Sequence, residues 1–489
     1  MTFDAIVVGA GVNGLVTAAL LAKAGRRVLV LERRSVTDGS PDAGWIPPRV
    51  VRDLALGSKE LQVWRPDPWI AATLPDGGRL ELSQDVARSV EAIKRLSPAD
   101  AAKWPEFCER MGRLARVLEA LYSAPPPDIM TRDLGELARL AGLGWQVRRL
   151  GKQAVVDLLR TLPMSVADLL DEWFESDALK GVLGAAGITD LCQGPRSGGT
   201  AFLMLHHHVG SPAGVFRPPL SNLGDVLGRT EAPGVEVRRG AEVTGITARA
   251  GLVTGVVLAG GEEIGAPVVV SSADPRRTLL GLAEPGWFDP EFVRAVRNIR
   301  CRGVTAHLTL TLDRAPGFST FAVAPSLEYL ERAYDDAKYG RVSARPYIEA
   351  RAEAAENGRH RVQAHVQYAP YAPADGPWDD ARRRALGDLV ARTLAESAPV
   401  LREATVGVVV RTPKDLEDEQ GLTGGHVHHG ELGLDQVLFM RPVAGWSRYR
   451  TPISGLYLCG AGTHPGGAIA GGSGYLAARE ILKDAGERR

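Results

Sequence analysis

Gly9, Gly11 and Gly14 stand at G-x-G-x-x-G spacing inside IVVGAGVNGLVTAALLAKAGRRVLVLERR, residues 6–34. The first glycine permits a tight turn. The second removes a side chain so that backbone can approach a pyrophosphate, and the third lets a helix pack close to a strand. Val12 and Asn13 lie between them. The helix that starts here turns free N–H groups and the positive end of its dipole toward a diphosphate. Glu32 follows about 20 residues on, where a carboxylate can accept from ribose hydroxyls. Glu32 argues against a 2′-phosphate, Arg33 and Arg34 weaken that argument, and the motif by itself does not separate FAD from NAD.

Other chemistry-bearing residues are weaker signals. His206, His207 and His208 are consecutive. On a helix they point about 100° apart and cannot share one ion. His426 and His428 would share a face if their segment were a strand, with His429 and Glu431 close behind. Their reading is a structural or substrate-facing polar cluster, so no metal site is assigned. His464 lies in a glycine-rich stretch near the end of the chain and is the one weak candidate for a catalytic proton donor. Arg300 and Arg302 flank Cys301, and Tyr329, Tyr334, Tyr339, Tyr368 and Tyr371 are interspersed with charge; structural roles are their default. No general base stands out, which fits hydride chemistry carried by a cofactor.

The elements that must position these residues follow from the apolar pattern. Ile6–Val8 and Val28–Leu31 are runs of the kind buried on both faces of a parallel sheet, and Leu15–Ala24 is the helix between them. Residues 85–185 look largely helical. Ser97 is the expected N-cap of a long helix, with Pro98 at its first position. Further helices are expected near 133–142, 145–160, 165–173 and 198–208. From about 234 the texture changes to short Val-rich strands, with 268–270 buried. Residues 304–312 (VTAHLTLTL) and 361–368 (RVQAHVQY) alternate as antiparallel strands with one wetter face. At the end, Leu456–Cys459 is a second buried strand that runs into a glycine-rich loop and a helix resuming near Gly474. That makes a second place for backbone N–H groups to face a cofactor.

Bulk numbers narrow the classes. The chain of 489 residues is too long for one typical core. Acidic and basic residues balance at 58 each, so nothing suggests a nucleic-acid partner. The four cysteines form no C-x-x-C, which points to reduced thiols in a cytoplasmic protein. No leader pattern and no run of about 18 apolar residues is present.

Over nearly its whole length the chain resembles the phytoene-desaturase-like flavoproteins, in the branch of the pyridine nucleotide-disulphide oxidoreductase domain proteins. The resemblance rests on VVGAGVNGL (7–15), GAEVTGI (240–246), APVVVSSADPRRTLLGL (266–282), YLERAYDDAKYGR (329–341) and QYAPY (367–371). It continues through LTGGHVHHGEL (422–432), DQVLFMRPV (435–443) and YRTPISGLYLCGAGTHPGG (449–467). It implies an α/β fold, with a Rossmann-type, glutathione-reductase-like FAD domain interleaved with a substrate domain of antiparallel sheet plus helices. The expected bounds are 1–70, 211–285 and 435–489 for the FAD domain, and 71–210 and 286–434 for the substrate domain. The resemblance assigns Gly9, Gly11, Val12, Asn13, Gly14, Glu32 and Arg33 to the ADP half of FAD, and the Val243 backbone to adenine. Gly460, Ala461 and Gly462 would approach the diphosphate and ribityl chain, and Ile469 and Ala470 the pyrimidine end of the flavin. The implied chemistry is C–C desaturation of an organic, lipophilic or isoprenoid-like small molecule by hydride transfer to flavin. Oxygen, a quinone or another acceptor then reoxidises the flavin. A flavin isomerase or saturase, and a non-catalytic flavoprotein, are the alternatives. A lipophilic substrate predicts an apolar tunnel under the helices of 85–210 and leaves room for peripheral membrane contact.

The chain departs from this family in three places. It has Asp38-Gly39 where relatives carry Gly-Gly and a longer extended segment. It has Arg217-Pro218-Pro219-Leu220-Ser221 where they carry a G-G-M-G turn, and AIAGGSGYL where they more often have proline. Proline removes a donor and restricts φ, so the second departure changes the contacts its turn can make. All three segments are expected to border the isoalloxazine or the substrate.

Overall fold

The apolar runs at the start, middle and end of the chain pair with one another. The computed structural model describes residues 3–36, 41–74, 77–126, 134–149, 152–229 and 232–487. Strands Leu456–Leu458, Val269–Ser271, Ala5–Val8, Val28–Glu32 and Val235–Arg239 form one parallel sheet in that order. Strand residues alternate between its faces. Ile6, Val8, Leu29 and Leu31 pack with Val243, Ile246 and Val256 of a three-stranded antiparallel sheet. Ala5, Val7, Val28 and Val30 pack on the other side with helices Val12–Lys23 and Gly472–Glu487. The first helix begins three residues before the Ala- and Leu-rich run suggests. Gly11, extended at φ −67° and ψ 165°, serves as its N-cap.

A second sheet has seven strands, in the order Thr405–Arg411, Thr305–Leu312, His360–Gln367, Ile348–Ala354, Thr320–Val323, Ile70–Thr73 and Arg79–Leu82. Every pair is antiparallel except Thr320–Val323 with Ile70–Thr73. Leu308, Leu310, Val362 and Val366 pack against Leu386, Val390 and Leu394 of helix Asp380–Ser397. The alternate residues His307, Gln363 and His365 border a cavity on the other side. Over that side lie helices Pro98–Tyr122, Val166–Trp173, Asp177–Gly184 and Thr200–His208, which bury Trp104, Phe107 and Phe202. Ser97 caps the first of these, its hydroxyl accepting from Asp100 N–H at 3.0 Å. The Asp38-Gly39 departure lies outside the described residues.

Leu220–Ser221 pairs with both Asp42–Ala43 and Val63–Trp64, so the proline-containing departure forms a bracket between the two main sheets. Arg217 locks it. Its guanidinium donates to Glu349 Oε2 at 2.6 and 2.8 Å and to the Tyr347 hydroxyl at 3.0 Å. Burial works against both charges, yet Arg217 holds the Glu349 carboxyl below its usual range. Removing one member of this part-buried pair strands the other charge. Glu349→Ala is therefore expected to lower the unfolding free energy by about 3 kcal/mol, measured by urea denaturation. A loss below about 0.5 kcal/mol would mean that the pair behaves as a solvated surface contact.

Candidate functional site

The ends of strands Ala5–Val8 and Val269–Ser271 lie side by side, and what fits between them decides the site. The Ser272 hydroxyl donates to the carbonyls of Val8 and Gly9 at 2.9 and 3.1 Å. A β-carbon on Gly9 would lie 2.4 Å from that hydroxyl oxygen, and one on Gly14 would lie 2.2 Å from the Gly9 carbonyl. Gly11 is different: nothing lies within 4 Å of where its β-carbon would be. It faces a cleft of about 390 Å³, shared with Glu32, Val243 and Asp274. The three motif glycines thus divide. Two make room for protein, and the middle one leaves room for something else.

Glu32 is buried at the far end of its strand. Its carboxylate accepts from Ala10 N–H at 2.8 Å and from Arg34 N–H at 3.0 Å. It is held under the glycine turn and forms part of the cleft wall. Arg33 borders the same cleft and donates to the Asp418 carbonyl at 2.9 Å. Asn13 does not face the cleft; its side-chain oxygen accepts from Gly474 N–H at 3.2 Å and ties the first helix to the last. Val12 packs partly buried beside the same helix pair.

The second glycine-rich stretch meets the first through Ser272. A β-carbon on Gly460 would lie 2.3 Å from the Ser272 carbonyl, and one on Gly462 would lie 2.3 Å from Pro275. Ala461 is held from behind by Arg441, a buried guanidinium whose acceptors are backbone carbonyls. It donates to Ala461 at 2.7 and 3.0 Å, His428 at 2.6 Å, Gly430 and Glu431 at 3.1 Å, and Gln436 at 3.0 Å. Burial draws its pKa down to about 10. Ile469 and Ala470 are buried, and Ala470 N–H donates to the Trp45 carbonyl at 2.9 Å.

A second cavity, of about 330 Å³, begins at Ala43 and Ala468. The two cavities adjoin along the chain: Asp42 borders one and Ala43 the other, while Val427 and His429 border the first and His428 the second. Apolar walls come from Trp69, Val215, Pro218 and Leu220. Asp190, His307, His365 and His428 border the same cavity, so its largely apolar wall carries one polar patch.

The histidines separate into roles. His206 Nε2 bonds the Gly467 carbonyl at 2.8 Å, His207 Nδ1 that of Ala186 at 2.9 Å, and His208 Nδ1 that of Val215 at 2.7 Å. Three consecutive imidazoles thus serve three separate segments. The expected strand face for His426 and His428 is not present. Thr423–Gly425 is a tight turn with φ +62° at Gly424 and +68° at Gly425, and two successive left-handed residues cannot run extended. His464 is buried beneath the loop, its Nε2 3.2 Å from the Leu121 carbonyl, and it borders neither cavity. Among the described residues no group of three or more His, Cys, Asp or Glu is arranged to hold a metal ion, and no helix is long and apolar enough to cross a membrane.

Three site-building residues carry no signal from spacing. Ser272 lies inside a stretch that carries the family resemblance, but its hydroxyl staple depends on a strand pairing between distant segments. Arg441 and Asp190 acquire their roles from loops that meet only on folding.

The chain has relatives among known proteins. The NAD(P)-binding Rossmann-like domain family matches residues 7–40. The rat pyridine nucleotide-disulfide oxidoreductase domain-containing protein 2 is 31% identical over 544 aligned residues, spanning 99% of this chain and 94% of the relative. The chain belongs to that family. Like its relatives, the chain is an oxidoreductase. It is 27% identical to a limonene dehydrogenase polypeptide of Castellaniella defragrans, over 99% of this chain and 95% of that one. It is also 27% identical to hydroxyneurosporene desaturase of Rhodobacter capsulatus, over 98% of each. An oxidoreductase from Methanosarcina mazei shares its fold at TM-score 0.58 and 15% identity, covering 98% of this chain and 99% of that one. Putrescine oxidase bound to putrescine does so at TM-score 0.59 and 15% identity, over 99% of both chains.

The division among the glycines can be tested without ligand. Gly14→Ala should lower the apo-protein's unfolding free energy by about 1–3 kcal/mol through overpacking. Gly11→Ala, which meets no clash and only exchanges one N-cap residue for a poorer one, should cost less than about 1 kcal/mol. Equal losses in urea denaturation would contradict the assignment. The buried histidines add a pH dependence. Burial draws His206, His307, His429 and His464 down to about 4, and His207 and His426 to about 3. Their folded pKa values lie below the unfolded value near 6.5, so the unfolded chain binds protons first as pH falls. Stability present at neutral pH is lost from about pH 6.5 down to about 4, with each group worth on the order of 3 kcal/mol. The urea midpoint should fall sharply between about pH 7.5 and about pH 5, and an unchanged midpoint would refute this.

Proposed function

We propose that the protein binds FAD across the two adjoining cavities and dehydrogenates an organic substrate by C–C desaturation. The carrying observation is the open position at Gly11 in a cleft that adjoins a second cavity at Ala43 and Ala468. The residues present suit the ADP half. Gly11 admits a diphosphate oxygen to backbone contact, Glu32 presents an acceptor to ribose, and the helix Val12–Lys23 turns its N-terminus toward the phosphates. The buried Nδ1 of His429 borders the same cleft and has no hydrogen-bond partner, which leaves one polar atom for a ligand to satisfy. Bound flavin would supply the hydride acceptor. The chain's own part is to bind and orient the substrate. Trp69, Val215 and Pro218 offer apolar area for its body.

One observation favours a second reading, a flavoprotein without ring chemistry. A β-carbon on Gly467 would lie 1.9 Å from His428 Nδ1, and one on Gly44 would lie 2.8 Å from Ala470 N, so the ring side is closely packed. The two readings separate on one preparation. The purified protein, as isolated or after incubation with FAD, should show the two-band visible spectrum of oxidised flavin. Gly11→Val should fold and bind FAD about 10- to 100-fold more weakly. Anaerobic bleaching by an organic substrate supports the dehydrogenase. A bound flavin that resists bleaching by every substrate tried, yet is reduced by dithionite, supports the non-catalytic reading. Protein that binds no FAD refutes both.

A further inference from the structure

The second cavity has one wall unlike the others. Asp190 enters it from a turn with its backbone in the left-handed region, φ 59°. That conformation is held from both sides. Asp190 N–H donates to Gln367 Oε1 at 3.0 Å, and the Asp190 carbonyl accepts from His426 Nε2 at 3.0 Å. The carboxylate accepts from the Thr305 hydroxyl at 2.8 Å. Two imidazoles approach it without completing hydrogen-bond geometry: His428 Nε2 at 3.3 Å from one oxygen and His365 Nε2 at 3.5 Å from the other. Burial works to raise the Asp190 pKa, but His365 and His428 overcome it and keep the carboxyl well below its usual range. The Nε2 atoms of His307, His365 and His428 are buried without a hydrogen-bond partner. Among the described residues no lysine or arginine pairs with Asp190, whereas Glu349 across the cavity is paired with Arg217.

A buried polar atom left without a partner costs about 1–3 kcal/mol. A pure hydrocarbon filling this cavity would close over an ionised carboxylate and three imidazole nitrogens and satisfy none of them. A hydroxyl or an amine satisfies them, since each donates to the carboxylate, and either can exchange a hydrogen bond with an imidazole whose tautomer adjusts. We propose that this cavity takes a substrate whose leading end carries a hydroxyl or amino group, hydrogen-bonded to Asp190 and His428. The apolar body of the substrate lies on Trp69, Val215 and Pro218. This inference rests on the reading of the cavity as the substrate side of a flavin enzyme, and it narrows the substrate class from lipophilic to amphiphilic. His428 packs on Gly467, so the head group is held beside the loop Gly467–Ala470.

The test uses three probes with one carbon skeleton: 2-phenylethanol, 2-phenylethylamine and ethylbenzene. Their binding to the purified full-length protein is measured by calorimetry. At least one polar probe should bind about tenfold or more tightly than ethylbenzene, the factor expected of one hydrogen bond to a charged group. Preference for the amine over the alcohol assigns an ammonium to the site, and the reverse assigns a hydroxyl. In Asp190→Asn the preference over ethylbenzene should fall to about threefold or less, with ethylbenzene affinity unchanged. Asparagine tolerates the left-handed backbone, so the variant keeps the turn. His428→Gln provides a second variant with the same expected direction, and its unfolding midpoint checks the fold. The proposal is overturned if ethylbenzene binds as well as both polar probes, if none of the three shows saturable binding, or if the polar preference survives in both variants. The visible spectrum of the same protein scores the flavin reading separately. A colourless protein with the polar preference intact sinks the cofactor assignment and leaves the head-group site standing.

Discussion

Everything around the parallel sheet depends on a close approach at Ser272. Its hydroxyl binds the carbonyls at the end of the first strand, its carbonyl sits against Gly460, and its side chain fills the space beside Gly9 and Gly14. Segments separated by hundreds of residues are brought within van der Waals contact, and no β-carbon fits between them. This contact fixes where the first helix begins and therefore where its N-terminal N–H groups point. It also leaves Gly11 as the open position. The cleft at Gly11 is the space that remains once the packing of its neighbours is satisfied.

The seven-stranded sheet is organised by its two-residue period. Leu308, Leu310, Val362 and Val366 dock a helix, and the intervening His307, Gln363 and His365 are thereby forced to the opposite face. A polar face under a helical layer must find partners or leave space. Here it does both. Arg217 and Glu349 satisfy each other and pin the proline-containing bracket, while Asp190 and its imidazoles remain next to a cavity. Arg441 does comparable work on the other side, gathering five carbonyls of the 428–461 region around one guanidinium. Its planar fork of five N–H donors suits that task better than an ammonium would.

Much of this was legible in the residues. The strand–glycine turn–helix–strand order at 6–32 predicts the turn and the parallel pairing because each element has a local cause: buried β-branched runs, glycine freedom, helix propensity and a terminal carboxylate. The alternation in VTAHLTLTL and RVQAHVQY predicts an antiparallel pair with a wetter face, and the cavity floor lies there. Other features were not legible. His426 and His428 suit a strand by spacing, but the left-handed pair Gly424 and Gly425 turns the chain instead. His206 to His208 are equivalent in sequence, and only the three segments around their helix give them separate partners. Asp190 follows a short helical turn with nothing local to mark it, since its neighbours Thr305, His365 and His428 come from three distant segments.

The sequence by itself determined the dinucleotide-type turn, the two classes of sheet and the balance of charge, because these follow from short-range periodicity and from the steric freedom of single residues. Tertiary structure decided which glycine stays open, which histidines face a cavity, and which buried charges are paired. Those outcomes depend on the distance between segments far apart in the chain, and no local preference encodes such a distance.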